Sequence, residues 1–351
     1  MPLARPHSPA EPPGPPRREP QLDGLRCLAF LAVFGLHAAP TRFSWGWGGV
    51  QVFFALSGFL ITRILVRGHS GRIGGDLGRY YLRRTLRIFP LYYAVIALVA
   101  LEGKLPDAVW LLTYTYNIRG YFNRGVDPER MGHFWTLCVE EQFYLIYPLL
   151  LLACPPRGRF ALVGALIVGA KGFQIWAEGH ADIRAARILL PYCGEDLLWG
   201  CLAGLIDLRR PPRRHEGLAC LLIGPPTLVL AWHLYLGRLP LAVGVQDVAA
   251  VSLYGIGSAL IVFGASRCSN RWIVGALALG PVAYFGRISY GLYAFHIPVL
   301  QGWGRAALVD VVLPRPWGEL ALTISLAALS WRFFEGPINR LKDRRGAGVR
   351  G

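Results

Sequence analysis

Ten apolar runs recur along the chain, at about 24–40, 47–66, 87–101, 134–154, 160–177, 187–207, 217–236, 248–266, 280–303 and 318–334. Each is of the order of the length a helix needs to cross a hydrocarbon layer about 30 Å thick. In lipid every backbone amide must find its partner inside the protein, which leaves helices or a closed barrel, and runs of this length are helices. Composition agrees. The 351 residues are 54% hydrophobic and 17% charged, against about 25% charged in soluble domains, and mean hydropathy is +0.38. The expected fold is therefore all-α, a multi-pass protein of the cytoplasmic membrane with about ten transmembrane helices. Disordered and fibrous classes are excluded by the apolar content and by the lack of any collagen or heptad repeat.

A formal net charge of +16 in a soluble chain would point to nucleic acid. Here the basic residues sit in short clusters between apolar runs, as in loops that set membrane orientation, so the expected partner is the lipid bilayer and not nucleic acid. With both termini inside, 26 of the 37 Lys and Arg fall on the inner side and 11 on the outer, which assigns both termini to the cytoplasm. Residues 1–21 read as a disordered Pro/Arg-rich tail, 22–337 as the membrane domain and 338–351 as a basic tail. The stretch Leu25 to Leu36 imitates a signal peptide but is followed by many more spans, so it reads as an uncleaved first helix. Trp110 to Ile118 is too short to span and reads as interfacial. The seven cysteines show no ligand spacing and read as small core hydrophobes.

Ionisable groups inside spans carry the chemical information, because each costs a few kcal/mol unless it faces a cavity or a partner. In the first span Arg26 and His37 are eleven residues apart, so they share a helix face about 16 Å apart along the axis, and Asp23 is placed to pair with Arg26. The second span carries Gln51, Ser57 and Gly58 in an apolar run, a pattern also common at ordinary helix contacts. Arg84 and Arg87 share one face just before the third span. They read either as a topology anchor or as a phosphate site, since guanidinium forks hold phosphate bidentately. Glu140 and Glu141 lie inside the fourth span, pointing about 100° apart, which predicts different roles for the two. His296 in the ninth span falls, with His37 and the glutamates, in the outer half of the membrane.

These segments together resemble the integral-membrane acyltransferases of the acyltransferase 3 type, which O-acylate surface polysaccharides, lipids and small molecules. The matching stretches are LDGLRCLAFLAVFGLH, GVQVFFALSGFLI, RRTLRIFP, HFWTLCVEEQFYLIYP, GRISYGLYAFHIP and WRFFEGPI, in family order from residue 22 to about 340. The resemblance implies His37 as the essential histidine, Arg26 as its partner, Glu140 as the motif glutamate, and Arg84 with Arg87 as the pair that engages acyl-coenzyme A. Two positions depart from the family pattern: Gln51 stands where an acid is frequent, and Cys138 where serine is usual. Some relatives append an extracellular esterase-like domain; here any second catalytic domain is expected to be a separate protein.

The reaction so implied takes an acyl group, acetyl first, from cytosolic acyl-coenzyme A as co-substrate to a hydroxyl of a glycan, lipid-linked sugar or natural product. His37 acts either as general base or as acyl carrier. Glu140 is expected to orient it, Arg26 to steady the thioester carbonyl or the coenzyme phosphates, and Asp23, Ser57, Glu141 and His296 to support them. No resident cofactor and no metal is expected. A loop from Arg119 to Gly132, with Asp127 and Glu129, is expected to cap an outer acceptor site. The alternative from another class is a proton-coupled transporter, which also places His, Glu and Arg inside spans but predicts internal repeats not evident here. Reporter fusions after residue 211 and at the C-terminus are expected to read cytoplasmic and one near residue 124 external; an external C-terminus breaks the ten-span reading.

Overall fold

The computed structural model describes residues 18–340 apart from 102, 104, 106, 124, 125, 127–130, 181 and 304–312. The N-terminal tail before residue 18, Asp127, Glu129 and the last eleven positions lie outside the described residues. Within them the chain is all-α. Its helices are α1 (Pro20–Ala38), α2 (Gly48–Arg67), α3 (Ile73–Ala100), α4 (Ala108–Leu112), α5 (Tyr116–Phe122), α6 (Phe134–Ala153), α7 (Arg159–His180) and α8 (Ile183–Ala186). They continue as α9 (Leu190–Arg209), α10 (Glu216–Tyr235), α11 (Val243–Arg267), α12 (Arg271–Leu277), α13 (Gly280–Arg287), α14 (Ser289–Leu300) and α15 (Trp317–Ser330), which runs into a π-helical turn at Trp331–Glu335.

Every apolar run of the sequence carries helix, and the protein is an all-α membrane protein. Five segments, Ser44–Arg67, Phe134–Ala153, Arg159–His180, Glu216–Tyr235 and Gly244–Arg267, are long and apolar enough by themselves to cross a bilayer. The run expected at 280–303 is not one helix: it breaks at Ile288 into α13 and α14. At Gly286 a Cβ would overlap the Asp23 carbonyl oxygen, so α13 lies backbone to backbone against α1. Trp110 to Ile118 becomes the two short helices α4 and α5, hinged at Tyr114 with φ 54°.

Packing runs through α1, α2 and α9. Helix α2 lies along α9 and α11, α10 pairs with α11, α7 with α9, and α14 with α15, while α1 rests on α2, α13 and α14. The larger of the two main apolar cores gathers side chains of α1, α2, α3, α6, α9 and α14, and the smaller those of α1, α2, α9 and α11. Close approach is what small residues contribute when lipid supplies no hydrophobic drive between helices. At the start of α3, Asp76 accepts from the Ser70 N–H at 2.9 Å and hydroxyl at 2.7 Å, and pairs with His69 and Arg79. Burial alone would raise this carboxyl; the hydrogen bonds outweigh it and hold it at about 2, below the ordinary 3.8. The stabilisation is present above the unfolded value of 3.8 and is lost as pH falls toward 2.

Gly58 of α2 abuts the Leu197 carbonyl of α9, and Gly200 of α9 abuts the Ala55 carbonyl of α2, each leaving no room for a Cβ. Gly200→Val is expected to cost on the order of 3 kcal/mol and to lower the thermal midpoint of detergent-purified protein. Gly164→Ala, with nothing within 4 Å, leaves it unchanged.

Candidate active site

Helix α1 presents Asp23, Arg26, Phe30 and His37 toward α3, α6 and α14, and the polar groups divide into two levels. Near the C-terminal end of α1 three imidazoles meet. The His37 and His296 rings are 5.1 Å apart between centroids, and those of His296 and His133 4.8 Å. His133 and His296 are buried. The His37 Nδ1 lies 2.9 Å from the Val33 carbonyl and the His296 Nδ1 2.6 Å from that of Tyr293. A carbonyl oxygen only accepts, so both Nδ1 atoms carry and donate the proton, which leaves each Nε2 a basic lone pair when the ring is neutral. The buried Nε2 of His296 has no hydrogen-bond partner, and the His133 ring lies against the Tyr293 and Ala294 backbone. Tyr293 and Thr136, 2.6 Å apart between hydroxyls, and the edge of Phe30 close the cluster. Among the described residues no group of three or more His, Cys, Asp or Glu converges to hold a metal ion.

Glu140 lies seven residues after His133, about 10 Å further along α6, on the inner level. Ser57 donates to its Oε1 at 3.0 Å, and the Arg84 Nη2 stands 3.8 Å from its Oε2. Arg84 Nε is 3.7 Å from Glu141 Oε1, and the guanidinium carbon lies 3.5 Å from the centroid of the Tyr144 ring. Arg26 donates to Asp23 at 3.0 Å, which also takes Arg18 at 2.8 Å.

These contacts correct three expectations. Glu140 does not orient His37; it is committed to Ser57 and Arg84, and the His37 hydrogen bond goes to its own helix. The two glutamates do not serve separate partners, since their long side chains converge on one guanidinium from adjacent positions. Arg26 pairs with Asp23, as its spacing predicts, three turns from His37. Arg84 and Arg87 do not form one cytosolic fork: Arg84 is turned inward between carboxylates, whereas Arg87 is exposed and makes no ion pair among the described residues. Arg87 lies within electrostatic reach of Arg26 and Arg84 and of Glu335, whose carboxylate is buried and accepts from Ser330 at 3.0 Å.

His133, Tyr144 and Glu335 were not singled out from sequence, although all three lie inside the motif stretches. For His133 the available signal was its place one helical repeat before Glu140; nothing local marks it as a neighbour of α14. Of the two departures, Gln51 lies against the Trp47 carbonyl and indole, so α2 carries no charge at that point. The Cys138 sulfur sits 3.9 Å from the Tyr92 hydroxyl.

Removing Arg84 strands two carboxylates in an apolar bundle. Arg84→Gln is expected to destabilise by on the order of 3 kcal/mol, and addition of Glu140→Gln and Glu141→Gln to recover most of it, read from thermal midpoints of the purified variants. A triple variant no more stable than the single one means that packing and not charge holds Arg84.

The family model described as an acyltransferase domain matches residues 19–334. The peptidoglycan O-acetyltransferase OatA of Listeria monocytogenes is 28% identical over 92% of this chain and 56% of its own length. The O-acetyltransferase OatA of Staphylococcus aureus is 27% identical over 93% of this chain and 58% of its own. YrhL of Bacillus subtilis is 30% identical over 91% and 54%. The chain thus spans about half the length of the curated relatives it matches, and no solved structure matches it. A match over the whole helical bundle, with His37, Arg84 and Glu140 inside it, means that the chain belongs to the acyltransferase 3 family of membrane proteins.

Proposed function

We propose that this protein is a membrane-embedded O-acyltransferase moving an acyl group, acetyl first, from cytosolic acyl-coenzyme A to a hydroxyl of a glycan, glycolipid or small molecule. The observation that carries the reading is the His37 ring, held by Val33 as the Nδ1–H tautomer at the outer level of the bundle beside two further imidazoles. A general base needs this state, with the proton fixed on one nitrogen and the lone pair of the other turned to the reacting hydroxyl. The names of the OatA relatives support a cell-wall glycan as the acceptor class.

In this reading the acceptor proton moves to His37 Nε2 as its oxygen attacks the acyl carbonyl. The C–S bond breaks and the departing thiolate takes a proton. His296, 5.1 Å from His37 between ring centroids and with an unpartnered Nε2, shares the positive charge that His37 acquires. On the arginine level, exposed Arg87 and the nearby Arg26 supply positive charge for the phosphates of the donor. Arg84 fixes Glu140 and Glu141 so that this level stays ordered.

Transfer from labelled acetyl-coenzyme A in membranes, normalised to protein level, tests the reading. His37→Ala and His37→Gln are both expected to lose roughly 100-fold or more, because glutamine keeps a hydrogen bond but cannot take up a proton. His133→Gln and His296→Gln are expected to retain protein and a reduced rate, with a changed pH profile. An active His37→Gln protein moves the base to another residue, and transfer only from a donor other than the thioester overturns the donor assignment.

A further inference from the structure

A cavity of about 520 Å³ opens at the ends of α2, α9 and α11 that the charge bias assigns to the cytoplasm, and the reaction proposed above makes no use of it. Five arginines line it, Arg63, Arg67, Arg209, Arg210 and Arg267, against the two carboxylates Glu19 and Asp207, a net charge of +3. Its floor is built and rigid. Buried Arg63 donates to the two Glu19 oxygens at 3.0 and 2.5 Å and to Ser266 at 3.3 Å. Buried Arg267 donates to the Asp207 carboxylate at 2.8 Å and to the Asp207 and Arg210 carbonyls, both at 2.6 Å.

The rim is uncommitted by comparison. The side chain of Arg67 is 49% exposed and only 3.7 Å from Asp207; that of Arg210 is 43% exposed and holds Glu216 at 3.3 Å. Arg209 spends one N–H on the Pro156 carbonyl at 3.3 Å. A second observation points to an anion: the chain already places a carboxylate here, since Glu19 is gripped by Arg63 and by the Ser266 hydroxyl at 3.0 Å. Basic clusters that only orient a membrane protein need no concave, pre-ordered floor. Basic pockets between helices at the inner membrane surface hold phosphate head groups, and guanidinium forks match phosphoryl oxygens bidentately.

We propose that this cleft binds a phosphate-bearing anion, held by Arg67, Arg209 and Arg210 above the floor made by Arg63 and Arg267. The site is separate from Arg87: six residues along α2 turn Arg63 about 120° away from Ser57, which faces Glu140. The phosphate can belong to an anionic phospholipid head group or to a soluble nucleotide bisphosphate, and in either case it ties the inner ends of α2, α9 and α11 to the start of α1. None of this depends on the acyl-transfer reading.

The test is thermal unfolding of the full chain in neutral detergent, titrated with pyrophosphate, adenosine 3′,5′-bisphosphate and short-chain phosphatidylglycerol. Sodium chloride at matched ionic strength and short-chain phosphatidylcholine are the controls. A saturable rise in Tm with pyrophosphate is expected, its half-saturation weakened roughly tenfold in R67Q/R209Q/R210Q, as for loss of charge-assisted bonds. Should the triple variant not fold, R67Q alone is expected to weaken saturation in the same direction. Tighter saturation by the bisphosphate than by phosphatidylglycerol assigns a soluble ligand, and the reverse a lipid. The absence of a saturable rise, an equal rise with either control, or an unchanged response in the variants overturns the proposal.

Discussion

The bundle is organised around the cost of placing charge in a membrane. Arg84 meets that cost from three sides: Glu140 and Glu141 supply opposite charge, and the Tyr144 ring supplies a π face. Because Arg84 is on α3, the carboxylates on α6 and the Ser57 hydroxyl on α2, satisfying one guanidinium fixes three helices against one another. Asp23 and Arg26 satisfy each other within α1. An unpaired group at any of these points would cost several kcal/mol, so the charges set the register that the apolar side chains then fill.

This constraint also separates the chemistry into levels. Guanidinium groups collect on the inner level, where Arg87 remains open. Imidazoles collect about 10 Å away, toward the N-terminal end of α6. A thioester whose phosphates stay in the cytosol and a hydroxyl that arrives from outside would meet between them. The proton-accepting group and the anion-holding groups therefore need not share one solvent-filled pocket. Phe30, Thr136 and Tyr293 pack around the buried His133 and His296, while His37 at the edge of the cluster is exposed. The cleft around Arg63 and Arg267 is a third charged region, on a different face of α2, and it meets the same cost by pairing its buried arginines with Asp207 and Glu19.

Much of the helical architecture was legible because lipid removes the usual ambiguity: with no water to satisfy the backbone, a long apolar run has one outcome. The break at Ile288 inside the run at 280–303 was not legible, because hydropathy carries no information about where a helix interrupts its backbone ladder. The site was legible in part. Asp23 with Arg26, and Ser57 as a small polar residue in a span, were visible from spacing. That Glu140 belongs to Arg84 was not, since the two are fifty-six positions apart and only the packing of α3 on α6 brings them together.

By itself the sequence determined the helical class, the bias of basic residues to one face, and which residue types had to be buried in lipid, because these follow from transfer costs that act residue by residue. Only the tertiary structure decided which buried charge meets which. His133 joins His37 and His296 because the N-terminus of α6 comes to rest against α14, and Arg84 turns inward while Arg87, on the same helix, stays open. Pairing energies fall off within a few ångströms, so they depend on positions that a linear pattern of residues does not contain.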